Sequence, residues 1–298
     1  MKNTRYDIVF IGHVCFDEIV PFEGETTVSP GSAVLCGAMA AAGAGRRVAV
    51  VTKMAPRDES ILAPMKNAGV DVHVVPAAET SYMQVIHPTA DVDVRRMFHR
   101  HNAGFFRIDE VPAFDAACIH LAGICDREFD LPLVRGLRTR GASLSADMQS
   151  FVRQVDSVTR EVRFRDPADK EALVGLLDRV KLDIVEAKIM TGSDDIKEAA
   201  AIVQSWGSPE VMITQSAGVL LRVGDATHYE PFSNRSIVGR TGRGDTTFAA
   251  YLSRRREHGP AESLKFAAAL VSIKMETPGP FRGTLSQVLT RMKEAHHA

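Results

Sequence analysis

No GxxxxGK(S/T) stretch occurs in the 298 residues, which argues against a P-loop nucleotide site. The nearest approach to a dinucleotide fingerprint, GAGRRV from Gly43, falls at the end of a helix-like segment and lacks its third glycine. An apolar run near the roughly 20 residues that span a bilayer is also missing, so no membrane partner is expected. Basic excess is absent: 36 Lys and Arg stand against 37 Asp and Glu, a formal net charge of -1, and the electrostatic footprint of a nucleic-acid binder is lacking. Cysteine is scarce and unpatterned. Cys15, Cys36, Cys118 and Cys125 form no CxxC, which favours reduced thiols over a disulfide framework or a zinc site. The ten histidines contain no HExxH pair, and only His13, near Asp17, draws attention. No repeat, low-complexity tract or long linker interrupts the chain. The start, MKNTRYDIVFIGHV, carries Asp7 inside its apolar run and no small-residue cleavage pattern, so it reads as a first strand of a cytoplasmic protein.

What is present is an α/β alternation. Asp7 to Phe16 is a continuous apolar run broken by Gly12, as expected of a strand buried on both faces. A Pro/Gly break at Ser29 to Ser32 precedes the alanine-rich helix VLCGAMAAAGAG and the strand RRVAVVTKM. DESILAPMKNAG, with its N-cap aspartate and terminal glycine, predicts a helix leading into the strand VDVHVV. Between Thr80 and Phe106 the pattern changes to alternating apolar and polar residues around a PTADVD turn, the sign of an antiparallel hairpin inserted on the main sheet. From Ala117 the predicted order is strand ACIHLAG, helix LPLVRGLRTRG, strand ASLSADM, helix ALVGLLDRV, strand LDIVEA, helix DIKEAAAIVQSWG and strand EVMITQ. GVLLRV and THYEPF then read as strands, and helices are expected over Thr246 to His258, Ala261 to Met275 and Leu285 to Ala295. Such repetition predicts a mostly parallel sheet with helices on both faces.

The chemistry concentrates in Val238 to Leu252, VGRTGRGDTTFAAYL. Gly242 and Gly244 let the backbone turn tightly and aim successive amides at one point, and the helix that follows adds the positive end of its dipole. That is an anion nest. Asp245 within it is either an N-cap residue or a general base that takes a proton from a hydroxyl while the nest stabilises a phosphoryl group.

GRTGRGDTTFAAYL resembles the C-terminal signature of the ribokinase-like (PfkB) carbohydrate kinases, usually DTTGAGD followed by small and apolar residues. Thr241, Gly242, Gly244 and Asp245 match; Gly239, Arg240 and Arg243 stand where the family has Asp, Thr and Ala. The resemblance implies Asp245 as catalytic base and an anion hole at Gly242, Arg243 and Gly244. The change at Gly239 touches any monovalent-cation site that the family builds nearby. Asp17, five residues after Gly12, is similar to the family's aspartate for substrate hydroxyls. PGSAVLCGAMAAAGAG is similar to its N-terminal signature, with Gly31 kept, Ser32 for the second glycine and Cys36 for the usual asparagine. LDIVEAKIMTG resembles the NxxE segment, with Asp183 for asparagine and Glu186 kept, implying a role toward Mg²⁺.

VMITQSAGVLL resembles the strand and loop that meet the nucleotide, implying Thr214, Ser216 and Gly218 there, with Thr241 on the same side and Ala268 and Ser272 at the adenine border. Arg95 and Arg96 on the hairpin are candidates for a charged substrate. Asp147, Gln149 and Arg153 lie where open α/β sheets place ligands. The implied fold is a three-layer α/β/α sandwich, one kinase domain over 1–298, with a small β lid at about 80–106 and a homodimer through that lid. The implied activity is phosphorylation of a hydroxyl on a small-molecule sugar, polyol or nucleoside with ATP and Mg²⁺. A catalytically silent sugar or nucleotide sensor on the same fold, and a hydride-transfer enzyme on a Rossmann sheet, are the alternatives.

Overall fold

The first apolar run is not one strand but two. In the computed structural model, which describes residues 5–91 and 94–294, β1 (Tyr6–Ile11) ends just before Gly12. A Cβ at Gly12 would lie 2.2 Å from the Ala122 carbonyl oxygen, so the backbone passes the neighbouring strand at a distance only glycine permits. The chain then leaves the main sheet as β2 (Cys15–Val20), and the expected Pro/Gly break turns out to end β3 (Thr27–Gly31). Helix α1 (Ala33–Gly43) and β4 (Val48–Met54) follow as expected. The predicted DESILAPMKNAG helix is mostly a 3-10 turn, Pro56–Leu62, passing into the short α2 (Ala63–Asn67) before β5 (Asp71–Pro76).

The expected hairpin forms as β6 (Ser81–Ile86) and β7 (Arg96–His101), paired antiparallel. Val92 and Asp93 of the PTADVD turn lie outside the described residues. β6 also runs parallel to β2, which gives a four-stranded sheet in the order β3-β2-β6-β7. Half of this small sheet is thus built from the N-terminal segment, and Asp17 stands on it instead of on the first strand of the large one.

The large sheet continues through β8 (Ala116–Leu121), α3 (Leu131–Arg138), β9 (Ser143–Asp147) and α4 (Gln149–Val152). A two-stranded ribbon of β10 (Arg153–Val155) and β11 (Val162–Phe164) leads to α5 (Lys170–Val174) and β12 (Arg179–Asp183). The predicted ALVGLLDRV helix is shorter than expected, and LDIVEA is strand only as far as Asp183. There a capping box takes over: the Asp183 carboxylate accepts the amides of Val185 and Glu186, and Glu186 accepts the Asp183 amide, starting α6 (Ile184–Thr191). The remaining elements are α7 (Ile196–Ser205), β13 (Glu210–Thr214), β14 (Gly218–Val223), β15 (Ala226–Pro231), α8 (Arg243–Arg255), α9 (Pro260–Met275) and α10 (Leu285–Glu294). Ala295, the expected end of the last helix, lies outside the described residues.

The nine strands run in the order β15-β14-β13-β12-β9-β8-β1-β4-β5 and are parallel except where β14 meets β13 and β15. Residues alternate across them. Ile8 and Phe10 join a core with α1, α8 and α9, whereas Val9 and Ile11 face a second core with α3, α6 and α7. The sheet is therefore the middle of three layers, an α/β/α sandwich. Burying both faces accounts for strands without polar alternation. The strand ends that carry Asp147, Asp183 and Thr214 lie beside the start of α8, where ligands gather in such sheets.

Candidate active site

The loop entering α8 sets the geometry. Gly242 occupies its N-cap in the left-handed region, φ 77°, and a Cβ there would lie 2.4 Å from Cys36 Sγ. Backbone and space both require glycine. Among the described residues the amides of Gly242, Gly244 and Asp245 have no protein acceptor, while the Arg243 amide donates to the Arg240 carbonyl at 3.1 Å. The open set is thus Gly242, Gly244 and Asp245, where the sequence pointed to Gly242, Arg243 and Gly244. These amides and the dipole of a 13-residue helix favour an anion at this point. The half-buried Asp245 carboxylate lies 3.5 Å from Gln149 Nε2, and Gln149 is itself held by donation to the Gly123 carbonyl at 2.8 Å.

Beneath Gly244 sits Lys181, on β12 and buried. A Cβ at Gly244 would be 2.7 Å from Lys181 Nζ. That ammonium donates to Asp147 at 2.9 and 3.2 Å and lies 3.9 Å from Glu186. Burial alone would push its pKa down, but Asp147, Glu186 and Asp245 together carry it above the usual lysine value. For Asp147 and Glu186 burial is the larger effect, and both carboxyls are raised despite Lys181. Arg153 completes the cluster at 3.4 Å from Glu186 Oε1.

Sequence reasoning missed Lys181. The available signal was a lysine flanked by the buried apolar Val180 and Leu182 in the strand RVKLD, since a buried lysine is rare unless paired.

The Mg²⁺ candidates separate. Glu186 is fully buried, and its two oxygens serve Arg153, the Asp183 amide and Lys181. Asp183 Oδ1 caps α6, leaving Oδ2 without a protein donor among the described residues. No three His, Cys, Asp or Glu side chains converge as a metal cage among the described residues. This arrangement fits an ion carried by phosphates with its own water, touched by Asp183, and not one held directly by Glu186.

On the small-sheet side Asp17 covers Gly31, where a Cβ would be 1.8 Å from Asp17 Oδ2. Cys15 Sγ donates to Asp17 at 3.1 Å. Ser32 follows at φ 122° and ψ 161°, a region almost confined to glycine, while its hydroxyl caps α1 by accepting the Leu35 amide. Cys36 lies between the two halves of the site. Burial first, then Asp245 and Asp17, push its thiol up to about 12. His13 is buried and bonded to Ser81 and Gly104, at the junction of the sheets, and burial pushes its pKa down to about 3. Arg95 is exposed just before β7, and Arg96 pairs with Glu161 at 2.9 Å.

On the other side Thr214 ends β13 and lies near Gly244, while Ser216 is exposed in the turn before Gly218. Thr241 is exposed, with its carbonyl bonded to Lys274. Ser272 and Ala268 are buried in α9, and the Ser272 hydroxyl donates to the Ala268 carbonyl and accepts the Ser233 amide. The structure therefore brings Asp17, Gly31, Ser32, Cys36, Asp147, Gln149, Asp183, Glu186, Thr214 and the loop together, and turns Ser272 inward.

Comparison with known proteins identifies the family and the fold. The model of the pfkB family of carbohydrate kinases matches residues 4–285. A cytidine kinase of Thermococcus kodakarensis is 28% identical over 265 residues, 86% of this chain and 91% of the relative. A pyrophosphate-dependent kinase of the ribokinase family, solved as a sulfate complex, is 31% identical with a TM-score of 0.88, covering 95% of this chain and 99% of that one. Arabidopsis thaliana ribokinase, complexed with ribose and ATP, shares the fold at 17% identity and a TM-score of 0.78, covering 97% of this chain and 99% of that one. No helix among the described residues is long and apolar enough to cross a membrane.

Proposed function

The chain belongs to the pfkB family of carbohydrate kinases, and from that premise we propose that it transfers the terminal phosphoryl group of ATP to a hydroxyl of a sugar, polyol or nucleoside, with Asp245 as general base. One observation carries the reading: the Asp245 carboxylate shares a helix N-terminus with the open amides of Gly242 and Gly244. An acceptor hydroxyl at Asp245 and a phosphoryl group at those amides are then neighbours.

Asp17, over Gly31 and beside Cys36, holds acceptor hydroxyls. As the acceptor oxygen bonds to phosphorus, its proton passes to Asp245 and the bond to the leaving diphosphate breaks. The amides and α8 dipole stabilise the oxygens of the transferring group, and Lys181, behind Gly244, is neutralised by Asp147 and Glu186 and supports the loop from below. Asp183 Oδ2 would hold the water shell of a magnesium ion carried by the donor, which supplies neutralisation of phosphate charge. In this reading the whole chain is one kinase domain, and the four-stranded sheet covers the acceptor and excludes water. Its exposed edge strand β3, with Val28 at 53% exposure, is the surface for a homodimer.

A second donor is favoured by a specific finding. Two structures of pyrophosphate-dependent kinases, one with a pyrophosphate analog and myo-inositol, are 31% and 29% identical to this chain, against 17% for the ATP-bound ribokinase. The deciding experiment crosses polyols, sugars, sugar phosphates and nucleosides with ATP or pyrophosphate in Mg²⁺, reading ADP or orthophosphate. Acceptor-dependent ADP release supports the ATP reading, and turnover with pyrophosphate alone replaces it. Binding of sugar or nucleotide without turnover in every combination would sink the kinase reading in favour of a sensor.

A further inference from the structure

Lys274 has no role in the reaction as drawn above, yet it is 1% exposed and among the largest fully buried side chains. It lies in the last turn of α9, and its ammonium donates to the carbonyls of Gly239 and Thr241, at the head of the loop that enters α8. That loop is docked on the end of α9 at further points. The Gly239 amide donates to the Met275 carbonyl at 2.9 Å, and a Cβ at Gly239 would be 1.9 Å from the Thr277 carbonyl oxygen and 2.8 Å from that of Lys274.

No carboxylate is in salt-bridge contact with Lys274 among the described residues. Carbonyl dipoles offset only part of the penalty for taking an ammonium out of water, so an apolar side chain would serve stability as well or better. The uncompensated charge is bonded to the head of the loop whose open amides belong to Gly242, Gly244 and Asp245. Burial lowers the lysine pKa, Cys36 and Asp245 raise it, and Arg243 lowers it, so the charge is felt across the loop.

We infer that Lys274 is a tethered monovalent cation: held by the Gly239 and Thr241 carbonyls, its ammonium fixes the loop so that the amides of Gly242, Gly244 and Asp245 converge on the transferring phosphoryl group. It is a positioning residue. Because the lysine occupies those carbonyls, turnover does not depend on potassium or any other added monovalent cation. The inference rests on the phosphoryl-transfer reading of the same site.

The test uses the full chain with the acceptor and donor found in the panel. Wild type is expected to run at the same rate in sodium, potassium or N-methylglucamine salts of matched ionic strength. Lys274→Met should lose about 10²-fold in kcat, the scale of a displaced catalytic array, with the acceptor KM unchanged. Part of that loss should return with ammonium or potassium but not with N-methylglucamine. Pyrophosphate binding, followed by calorimetry without any acceptor, should weaken in the same variant and recover with the same ions. A wild type that requires potassium overturns the inference, as does full activity in Lys274→Met, or a loss with no cation-specific recovery. If Lys274→Met fails to fold, the wild-type salt exchange still decides, and Lys274→Arg must retain cation independence. A wild type that binds pyrophosphate but phosphorylates nothing sinks the kinase reading instead, and pyrophosphate affinity then tests the loop by itself.

Discussion

Replacing Lys181 by methionine removes the centre of the buried charge cluster while keeping its volume. Lys181, Asp147 and Glu186 are 3%, 1% and 0% exposed, with Nζ to carboxylate distances of 2.9 and 3.9 Å. Breaking a buried pair on one side costs roughly 3–5 kcal/mol, because a charge is left without its partner. At about 2–4 °C per kcal/mol for large domains, the melting temperature should fall on the order of 10 °C near neutral pH. The pH dependence gives the sharper check. Burial already raises both carboxyl pKa values, and removing the opposing ammonium raises them further. A carboxyl whose folded pKa lies above its unfolded value binds more protons folded than unfolded between the two, so its contribution to stability is present below the unfolded pKa and lost as pH rises through the folded one. The deficit of Lys181→Met should therefore be large near pH 8 and shrink toward pH 5, as Asp147 and Glu186 take up protons. Adding Asp147→Asn should restore much of the stability at the higher pH. Thermal unfolding by circular dichroism at both pH values measures this. An equal deficit at both, or no gain from Asp147→Asn, would refute the view that the cluster is held by charge and not by packing.

Three further outcomes follow from the geometry. Asp245→Asn should lower kcat by about 10²–10⁴-fold, the usual contribution of a general base, with acceptor KM little changed in steady-state assays; near-normal turnover would remove Asp245 from the proton transfer. Ser32→Gly should raise the melting temperature, since strain of order 1–3 kcal/mol at φ 122° is relieved while a glycine N-cap costs only a few tenths. A lower melting temperature would mean that the hydroxyl matters more than the backbone. Cys36, its thiol pushed up to about 12, should resist iodoacetamide in the native protein at about pH 8 and react once unfolded, as read by mass spectrometry.

The architecture was legible wherever one physical rule acted alone. Continuous apolar runs ended by glycine gave the strands of a doubly covered sheet, and the alternation between Thr80 and Phe106 gave the hairpin. It failed where a local rule met a distant one. Nothing within Asp7 to Phe16 shows that Gly12 must slip past the Ala122 carbonyl, so the division into β1 and β2, and with it the second half of the small sheet, could not be read. LDIVEA is a different case: its D-x-x-E spacing is a capping box visible in the sequence, and the cap overrides the apolar pattern that reads as strand.

The site divides along the same line. Its anionic and glycine members are legible because their requirement is local: Gly242 needs a left-handed backbone, and Asp245 lies at a helix start. Its cations are not, because a lysine acquires its role from what surrounds it. Lys181 and Lys274 are separated along the chain by three helices, yet one ammonium lies under Gly244 and the other grips Gly239 and Thr241, so the loop rests on two buried positive charges. They differ in what balances them. Lys181 is answered by Asp147 and Glu186 and leaves little field for a ligand, whereas Lys274 meets only carbonyls. An anion arriving at the open amides is thus attracted mainly by the helix terminus and by Lys274. The Gly239 position, where a side chain would strike the Thr277 carbonyl, lets the backbone close over that charge. The departure from the family pattern at Gly239 and the burial of Lys274 are two sides of one packing solution, and a substitution at either should disturb the loop in the same way.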